Sequence, residues 1–236
     1  LVAEEVRRPF DLAKGPLLRV TLLVPNAADA ATADSITADS VVILAMHHII
    51  SDAWSMQVFV REMTMLYRAF ARGEGSPLPE LPIQYADYAT WQRRWLEDIE
   101  ERQLAYWRGQ LAELPTLELE KDYPRPLVPS YRGARHGFDI GDDAARRLYG
   151  LCITEGVTAF MGLLAVFATL LHRYTGQDEV VIGAPVAGRN RPELINLIGF
   201  FVNLLVLRLD FSGDPSFGTI LRRVRQTALD AFDHQD

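Results

Sequence analysis

Two adjacent histidines, His47 and His48, follow a run of apolar residues and precede a long helical pattern, and this stretch constrains the fold more than any other. The run Val41–Met46 is apolar at every position, which predicts a strand covered on both faces. Ser51 or Asp52 can cap the following helix by accepting hydrogen bonds from its free backbone N–H groups. Polar side chains in apolar surroundings must be hydrogen-bonded or take part in chemistry, because burying them unpaired is costly. The stretch is therefore the first candidate for a functional site.

Strands and helices alternate along the whole chain, which predicts an α/β fold in two lobes. The predicted strands are residues 17–24, 41–46, 133–140, 180–182 and 200–209, and the predicted helices are residues 54–72, 85–111, 142–155, 159–174 and 214–233. Four prolines among charged residues make 115–130 a predicted linker. We therefore expect an N-terminal lobe over 1–114 that carries the histidines, a linker over 115–130 and a C-terminal lobe over 131–236. Residues 25–40 are rich in Ala, Asp, Ser and Thr and predict a polar loop.

Apolar residues at helical spacing predict which helix faces are buried. On the helix after the histidines the stripe consists of Phe59, Met63, Leu66 and Phe70, and on the next helix it consists of Tyr88, Trp91, Trp95, Leu104, Trp107 and Leu111. The three tryptophans could form a stacking site for a ligand, but their spacing favours a face turned to the core. Thr158 is the predicted cap of the apolar helix 159–174, and Cys152 is a predicted core residue.

Composition excludes several classes of function. The net charge is −7 and the basic residues form no long block, which argues against a nucleic-acid partner. No apolar run reaches the roughly 18 residues that a membrane span needs. A single cysteine excludes an internal disulfide and suits the cytoplasm. The chain begins at Leu1 without a signal-peptide pattern, so we expect an internal fragment of a longer cytoplasmic protein.

Three interpretations of the histidine stretch compete on the residues alone: a metal site, a purely structural role and catalytic chemistry. A metal site is disfavoured, because adjacent histidines on an extended backbone project in different directions, and His136, His172 and His234 show no ligand spacing. A serine-type triad is disfavoured by the lack of a Gly-x-Ser-x-Gly pattern. A purely structural role and acid–base chemistry by one imidazole both remain open. In the second case Asp52 would hold the loop geometry, for instance by pairing with an arginine.

Several segments resemble condensation domains of non-ribosomal peptide synthetases. Residues 47–53, His-His-Ile-Ile-Ser-Asp-Ala, resemble the HHxxxDG motif of that family. Residues 7–19 resemble the approach to the motif, 81–92 the YxDYAxW element and 198–203 the IGxFVN element. Residues 130–133, 182–185 and 188–189 also fit. The motif alone is shared in part by related acyltransferases, whereas several elements in the same order are specific to the family.

The resemblance implies a two-lobed fold like that of chloramphenicol acetyltransferase, V-shaped with a central tunnel. It also implies two peptidyl carrier domains as partners, one for the donor and one for the acceptor, and an adjacent adenylation domain. The substrates would arrive on the phosphopantetheine arms of the carriers, with no cofactor or metal bound directly. The implied reaction is amide formation, in which the amine of an aminoacyl thioester attacks an acyl or peptidyl thioester.

The resemblance also assigns roles to residues. His48 matches the second histidine of the motif, which deprotonates or orients the attacking amine. His47 and Asp52 match supporting positions, and in this family the aspartate pairs with an arginine from the second lobe, for which Arg189 is the candidate. Asn203 is expected to shape the channel near the lobe interface.

One residue departs from the motif, because Ala53 occupies the position of its glycine. A methyl group there is costly if the position needs a positive φ, and harmless if it lies in the first helical turn. Two alternatives to condensation follow. An epimerisation domain shares the histidines, but the YxDYAxW and IGxFVN elements favour condensation. A non-catalytic relative that only recruits carrier domains or tailoring enzymes would tolerate a changed motif.

Overall fold

The computed structural model describes residues 2–24, 40–124, 126–128 and 133–236. Its helices are α1 Val2–Arg7, α2 Ala53–Phe70, α3 Tyr85–Gln110, α4 Asp142–Glu155, α5 Ala159–Thr175 and α6 Phe217–Phe232, and its strands are β1 Leu18–Leu23, β2 Val41–Met46, β3 Glu179–Val186 and β4 Asn203–Asp210. The alternation confirms the predicted α/β class. The predicted loop at 25–40, apart from Ser40, and the matching element at 130–133, apart from Gly133, lie outside the described residues.

The chain divides by its contacts into two compact units. The first unit is Leu1–Arg94 with Ala187–Val202, and the second unit is Trp95–Val186 with Asn203–Asp236. The expected linker 115–130 thus falls within the sequence of the second unit, and α3 contributes residues to both units. These units are defined by contacts and do not test the predicted division into lobes at 1–114 and 131–236. That division stays a prediction, as do the V shape and the tunnel.

A hairpin of β1 and β2 forms the sheet of the first unit. The strands pair antiparallel from Leu18 opposite Met46 to Leu23 opposite Val41. The prediction that β2 is covered on both faces is wrong, because Val41 and Val42 are more than half exposed and only Ile43 is buried. Among the described strands β2 pairs with β1 alone, and this two-stranded sheet leaves the start of β2 open to solvent.

Helix α2 begins directly after the histidine stretch. The Asp52 side chain caps it by accepting from Ser55 N–H at 2.7 Å. The predicted buried stripe is wrong in part, since Met63 and Phe70 are exposed. The helix instead buries Ser55, Val58 and Ala69. The stripe predicted from periodicity is therefore not the buried side of the helix, which consists of these smaller side chains.

The core of the second unit lies between α5, α6 and the antiparallel pair of β3 and β4. The pair runs from Glu179 opposite Asp210 to Val186 opposite Asn203. The buried apolar residues of this core include Leu164, Ala165, Ala168, Val180, Leu205, Leu207, Leu209, Phe211, Leu221 and Val224. Thr158 caps α5 by accepting from Met161 N–H, and Cys152 is buried, which confirms both predictions.

Residues 133–140 carry no strand, so that prediction is wrong. Phe138 and Ile140 are exposed, and no described strand lies beside this segment to complete a hydrogen-bonded ladder. Across the described part of the chain, no single helix is long and apolar enough to cross a membrane; only α4 and α5 taken together reach that limit, and they are bent by 112°.

Candidate active site

The two histidines have different surroundings at the end of β2. His47 caps the 3-10 turn His48–Ile50, because its Nδ1 accepts from Ile49 N–H at 3.1 Å. Its ring makes a T-shaped contact with Phe10, with 5.8 Å between the ring centroids. His48 Nδ1 lies 2.6 Å from the carbonyl oxygen of Ser51. A carbonyl oxygen can only accept, so Nδ1 carries a proton, and in the neutral ring Nε2 is left as the acceptor. His48 is exposed, so this nitrogen can be reached from solvent.

An open cavity of about 340 Å³ contains His48. Ser51, Asp52 and Ala53 also line it, together with the apolar side chains of Leu44, Met46 and Met56. The Phe200 and His48 rings pack in a T-shaped arrangement, with an angle of 79° between their planes and 5.4 Å between their centroids. The cavity therefore places one imidazole next to a mixed polar and apolar surface.

Asp52 is buried behind the histidine turn and accepts hydrogen bonds from three residues, one in α2 and two in the loop between β3 and β4. Its Oδ1 accepts from Ser55 N–H and, at 3.3 Å, from Arg189 Nη2, and its Oδ2 accepts from Phe201 N–H at 3.1 Å. Burial would raise the pKa of Asp52, but the N–H groups of Ser55 and Phe201 and the charge of Arg189 together lower this pKa below its ordinary value. Asp52 is thus an ionised anchor that accepts three hydrogen bonds.

Arg189 is the counter-ion of this buried carboxylate. Its side chain is 2% exposed, donates from Nη1 to the carbonyl oxygens of Leu194 and Leu197, and lies 4.0 Å over the ring of Phe201. Burial lowers the pKa of Arg189, and the Asp52 carboxylate opposes that shift. One guanidinium therefore fixes the loop between β3 and β4 and neutralises Asp52.

Gly188 brings the backbone close enough for this arrangement. Its φ is +62°, and a Cβ atom at this position would collide with the carbonyl oxygen of Phe201. Only glycine combines a left-handed conformation with such a close approach at little cost. The residue before Arg189 therefore needs to be glycine.

Ser55 and Tyr85 complete the site and were not singled out by sequence reasoning. The Ser55 side chain is fully buried, and its hydroxyl donates to Gly199 C=O at 2.7 Å while accepting from Gly199 N–H at 3.0 Å and from Arg189 Nη2 at 2.8 Å. The Tyr85 hydroxyl donates to Phe200 C=O at 2.8 Å. The sequence feature that could have indicated Ser55 is its position three residues after Asp52, because a helix cap binds the backbone of the residue at this spacing.

A family model described as Condensation domain matches residues 1–236. The chain belongs to the condensation domain family. It is 49% identical over its whole length to a part of a linear gramicidin synthase from Brevibacillus parabrevis, of which it spans 3%. The solved complex of the X-domain and OxyB from teicoplanin biosynthesis is similar with a TM-score of 0.84 at 28% identity, over 99% of this chain and 50% of that one. The first condensation domain of the calcium-dependent antibiotic synthetase, solved with a substrate analogue, is similar with a TM-score of 0.68 at 25% identity, over 83% of this chain and 45% of that one.

These matches confirm the family that the sequence motifs indicated and the condensation-domain fold. The chain spans about half the length of the solved domains it resembles and a small share of the curated synthase. The activity, substrates and partners of the whole protein are therefore matters for proposal.

Within this condensation domain, the structure brings together five of the six predicted site residues. His47, His48, Asp52, Ala53 and Arg189 all belong to the first unit. Arg189 was expected from the second lobe, yet its contacts place it in the same compact unit as Asp52, although 137 residues separate them.

Asn203 is the predicted site residue that does not belong to the first unit. It begins β4 in the second unit, where its amide nitrogen donates to Gln235 C=O at 2.8 Å and its amide oxygen accepts from Leu204 N–H. Its expected role in shaping a channel stays a prediction.

Ala53 is the first residue of α2. It is not among the described residues with a positive φ. At such a position alanine favours the helix over glycine by about 1 kcal/mol. The departure from the motif is therefore compatible with the fold of the turn. Among the described residues, no group of three or more His, Cys, Asp or Glu is placed to hold a metal ion.

Proposed function

We propose that this condensation domain forms an amide bond between a carrier-bound acyl or peptidyl thioester and the amine of a carrier-bound aminoacyl thioester. The observation that carries the proposal is the state of His48. Its Nδ1 is held by Ser51 C=O, which leaves Nε2 as a base at an open cavity. The partners are then a donor and an acceptor carrier domain, with an adenylation domain adjacent, and the substrates arrive on phosphopantetheine arms.

The proposed reaction needs one proton acceptor near the attacking nitrogen. The amine nitrogen forms a bond to the thioester carbonyl carbon, the carbon–sulfur bond breaks, and the donor carrier leaves as a thiolate. Nε2 of His48 takes or orients the proton of the amine, and this proton then neutralises the thiolate. General base catalysis of this kind contributes about 10²–10⁴ in rate. Holding both tethered substrates in place contributes at least as much.

Asp52 and Arg189 support this step without touching the reacting atoms. Both oxygens of the Asp52 carboxylate accept hydrogen bonds from backbone N–H groups, and Oδ1 also pairs with Arg189, so the group is suited to hold the turn and not to move protons. His47 has its Nδ1 occupied by Ile49 N–H, which fits a structural role at the same turn.

Replacement of His48 by Ala tests the catalytic proposal. In a condensation domain of natural length with two loaded carrier domains, we expect amide product, measured by mass spectrometry, to fall by about 10²–10⁴. His136→Ala is the matched control, because His136 is exposed and lies in the second unit. Circular dichroism would show that both variants are folded. Undiminished product from folded His48→Ala would contradict the proposal.

Recruitment without catalysis is the second candidate, favoured by the likeness to an X-domain solved in complex with another protein. If the unaltered domain forms no amide but retains a carrier domain in a binding assay, recruitment is the better account. Epimerisation, a third possibility, would instead exchange the Cα hydrogen of a tethered aminoacyl group with deuterium from the solvent.

A further inference from the structure

The Ser55 hydroxyl has its full complement of hydrogen bonds in a fully buried position. A hydroxyl has one donor and two acceptor sites, and all three are used, by Gly199 C=O, Gly199 N–H and Arg189 Nη2. Both backbone groups of Gly199 therefore depend on a single side chain. Buried backbone groups must be paired, so this serine fixes the position of residue 199 relative to α2.

The residues after Gly199 connect Ser55 to the histidine. Phe200 follows directly, and its ring makes a T-shaped contact with the His48 ring. Phe201 donates its N–H to Asp52, the cap of the helix that contains Ser55. The path from the serine to the imidazole thus runs through one hydrogen-bonded residue and one ring contact.

Gly199 lies in a closely packed position. A Cβ atom at residue 199 would collide with the ring of Tyr85, whose hydroxyl holds Phe200 C=O from the other side. Residues 199–201 are therefore held between α2 and the start of α3, and Ser55 supplies both side-chain bonds to Gly199.

We propose that Ser55 is a positioning residue for His48, acting through Gly199 and Phe200. The inference rests on the proposed amide formation, in which His48 Nε2 meets the amine. Without the hydroxyl, Gly199 loses two hydrogen bonds, and the contact of the Phe200 ring with the imidazole is no longer fixed from the side of α2. The loss affects the chemical step, because misplacement of a catalytic group by about 1 Å costs on the order of 10²-fold in rate.

The test compares Ser55→Ala with Thr64→Ala in a domain of natural length with both loaded carriers. Thr64 is an exposed residue of α2 whose hydroxyl donates to Val60 C=O in the same helix, so it is a matched control. We expect Ser55→Ala to lower kcat by about 10- to 100-fold with KM changed less than about threefold, and Thr64→Ala to keep both constants. Ser55→Cys keeps a side chain of similar shape at this position, but its thiol forms only weak hydrogen bonds. This variant decides the question if Ser55→Ala does not fold.

A double variant separates positioning from general stability. If Ser55 acts through Phe200, then Ser55→Ala in a Phe200→Leu background lowers kcat by less than about threefold, because the contact to His48 is already gone. Equal losses in both backgrounds would overturn the proposal, as would wild-type kcat in folded Ser55→Ala or Ser55→Cys. Failure of the unaltered domain to form amide would refute the proposed function instead, whatever Ser55 does.

Discussion

Replacing Arg189 by Met tests the buried ion pair, which is the interaction that most of the site depends on. The change removes the counter-ion of Asp52, whose side chain is 5% exposed, and it removes the donors to Leu194 C=O and Leu197 C=O. Breaking one partner of a buried pair costs about 3–5 kcal/mol. Each orphaned carbonyl adds about 1 kcal/mol, which the apolar methionine offsets in part. We expect the free energy of unfolding to fall by about 4 kcal/mol.

Urea unfolding of the natural-length domain, followed by tryptophan fluorescence, measures this loss. Trp54 is a local reporter, because its indole N–H donates to Ile195 C=O in the same loop as Arg189. Arg72→Met is the control, since the Arg72 side chain forms an exposed ion pair with Glu74, and the loss of this pair should lower the free energy of unfolding by no more than about 0.5 kcal/mol. A loss for Arg189→Met below about 1 kcal/mol would refute the reasoning. Adding Asp52→Asn should return part of the loss, because a neutral amide needs no counter-ion.

Four further outcomes are expected. Because the folded pKa of Asp52 lies below its ordinary value of 3.8, its stabilisation is present above about pH 4 and is lost as the pH falls through the folded pKa, so urea midpoints at pH 7 and pH 3 should differ less in Asp52→Asn than in the unaltered domain. Gly188→Ala should lower the free energy of unfolding by more than about 2 kcal/mol, whereas Gly75→Ala, with open space around it, should change it little. Ala53→Gly should leave the rate of amide formation within about twofold. It should lower the free energy of unfolding by about 1 kcal/mol or less, which appears as a slightly lower thermal midpoint. Leu207→Ala should cost about 2–5 kcal/mol in urea unfolding, because Leu207 is buried in the core of the second unit.

Local signals in the sequence were sufficient for several elements. The bounds of β2 and α4 agree with the predicted ones, because β2 is a continuous apolar run and α4 ends at Gly156, which adopts a left-handed conformation. The pair of Asp52 and Arg189 was expected from the family resemblance alone. No residue pattern in a single chain indicates that positions 137 apart will meet.

The remaining features depend on tertiary contacts. Met63 and Phe70 continue an apolar stripe at helical spacing, yet they are exposed, since periodicity does not say which side of a helix has a neighbour. Ser55 was overlooked for the opposite reason. A serine in the first turn of a helix is ordinarily a local hydrogen-bonding residue, and its importance here comes from Gly199, 144 residues away.

The two-part sequence of the first unit has a consequence for synthesis of the chain. Oδ2 of Asp52 accepts from the N–H group of Phe201, which is synthesised 149 residues later. At about 5–20 residues per second, this delay is roughly 7–30 s on the ribosome. During that time the nascent segment around the histidines carries a carboxylate that still lacks two of its partners, Arg189 and Phe201. Folding of the histidine turn is therefore completed late, after most of the second unit has already been translated.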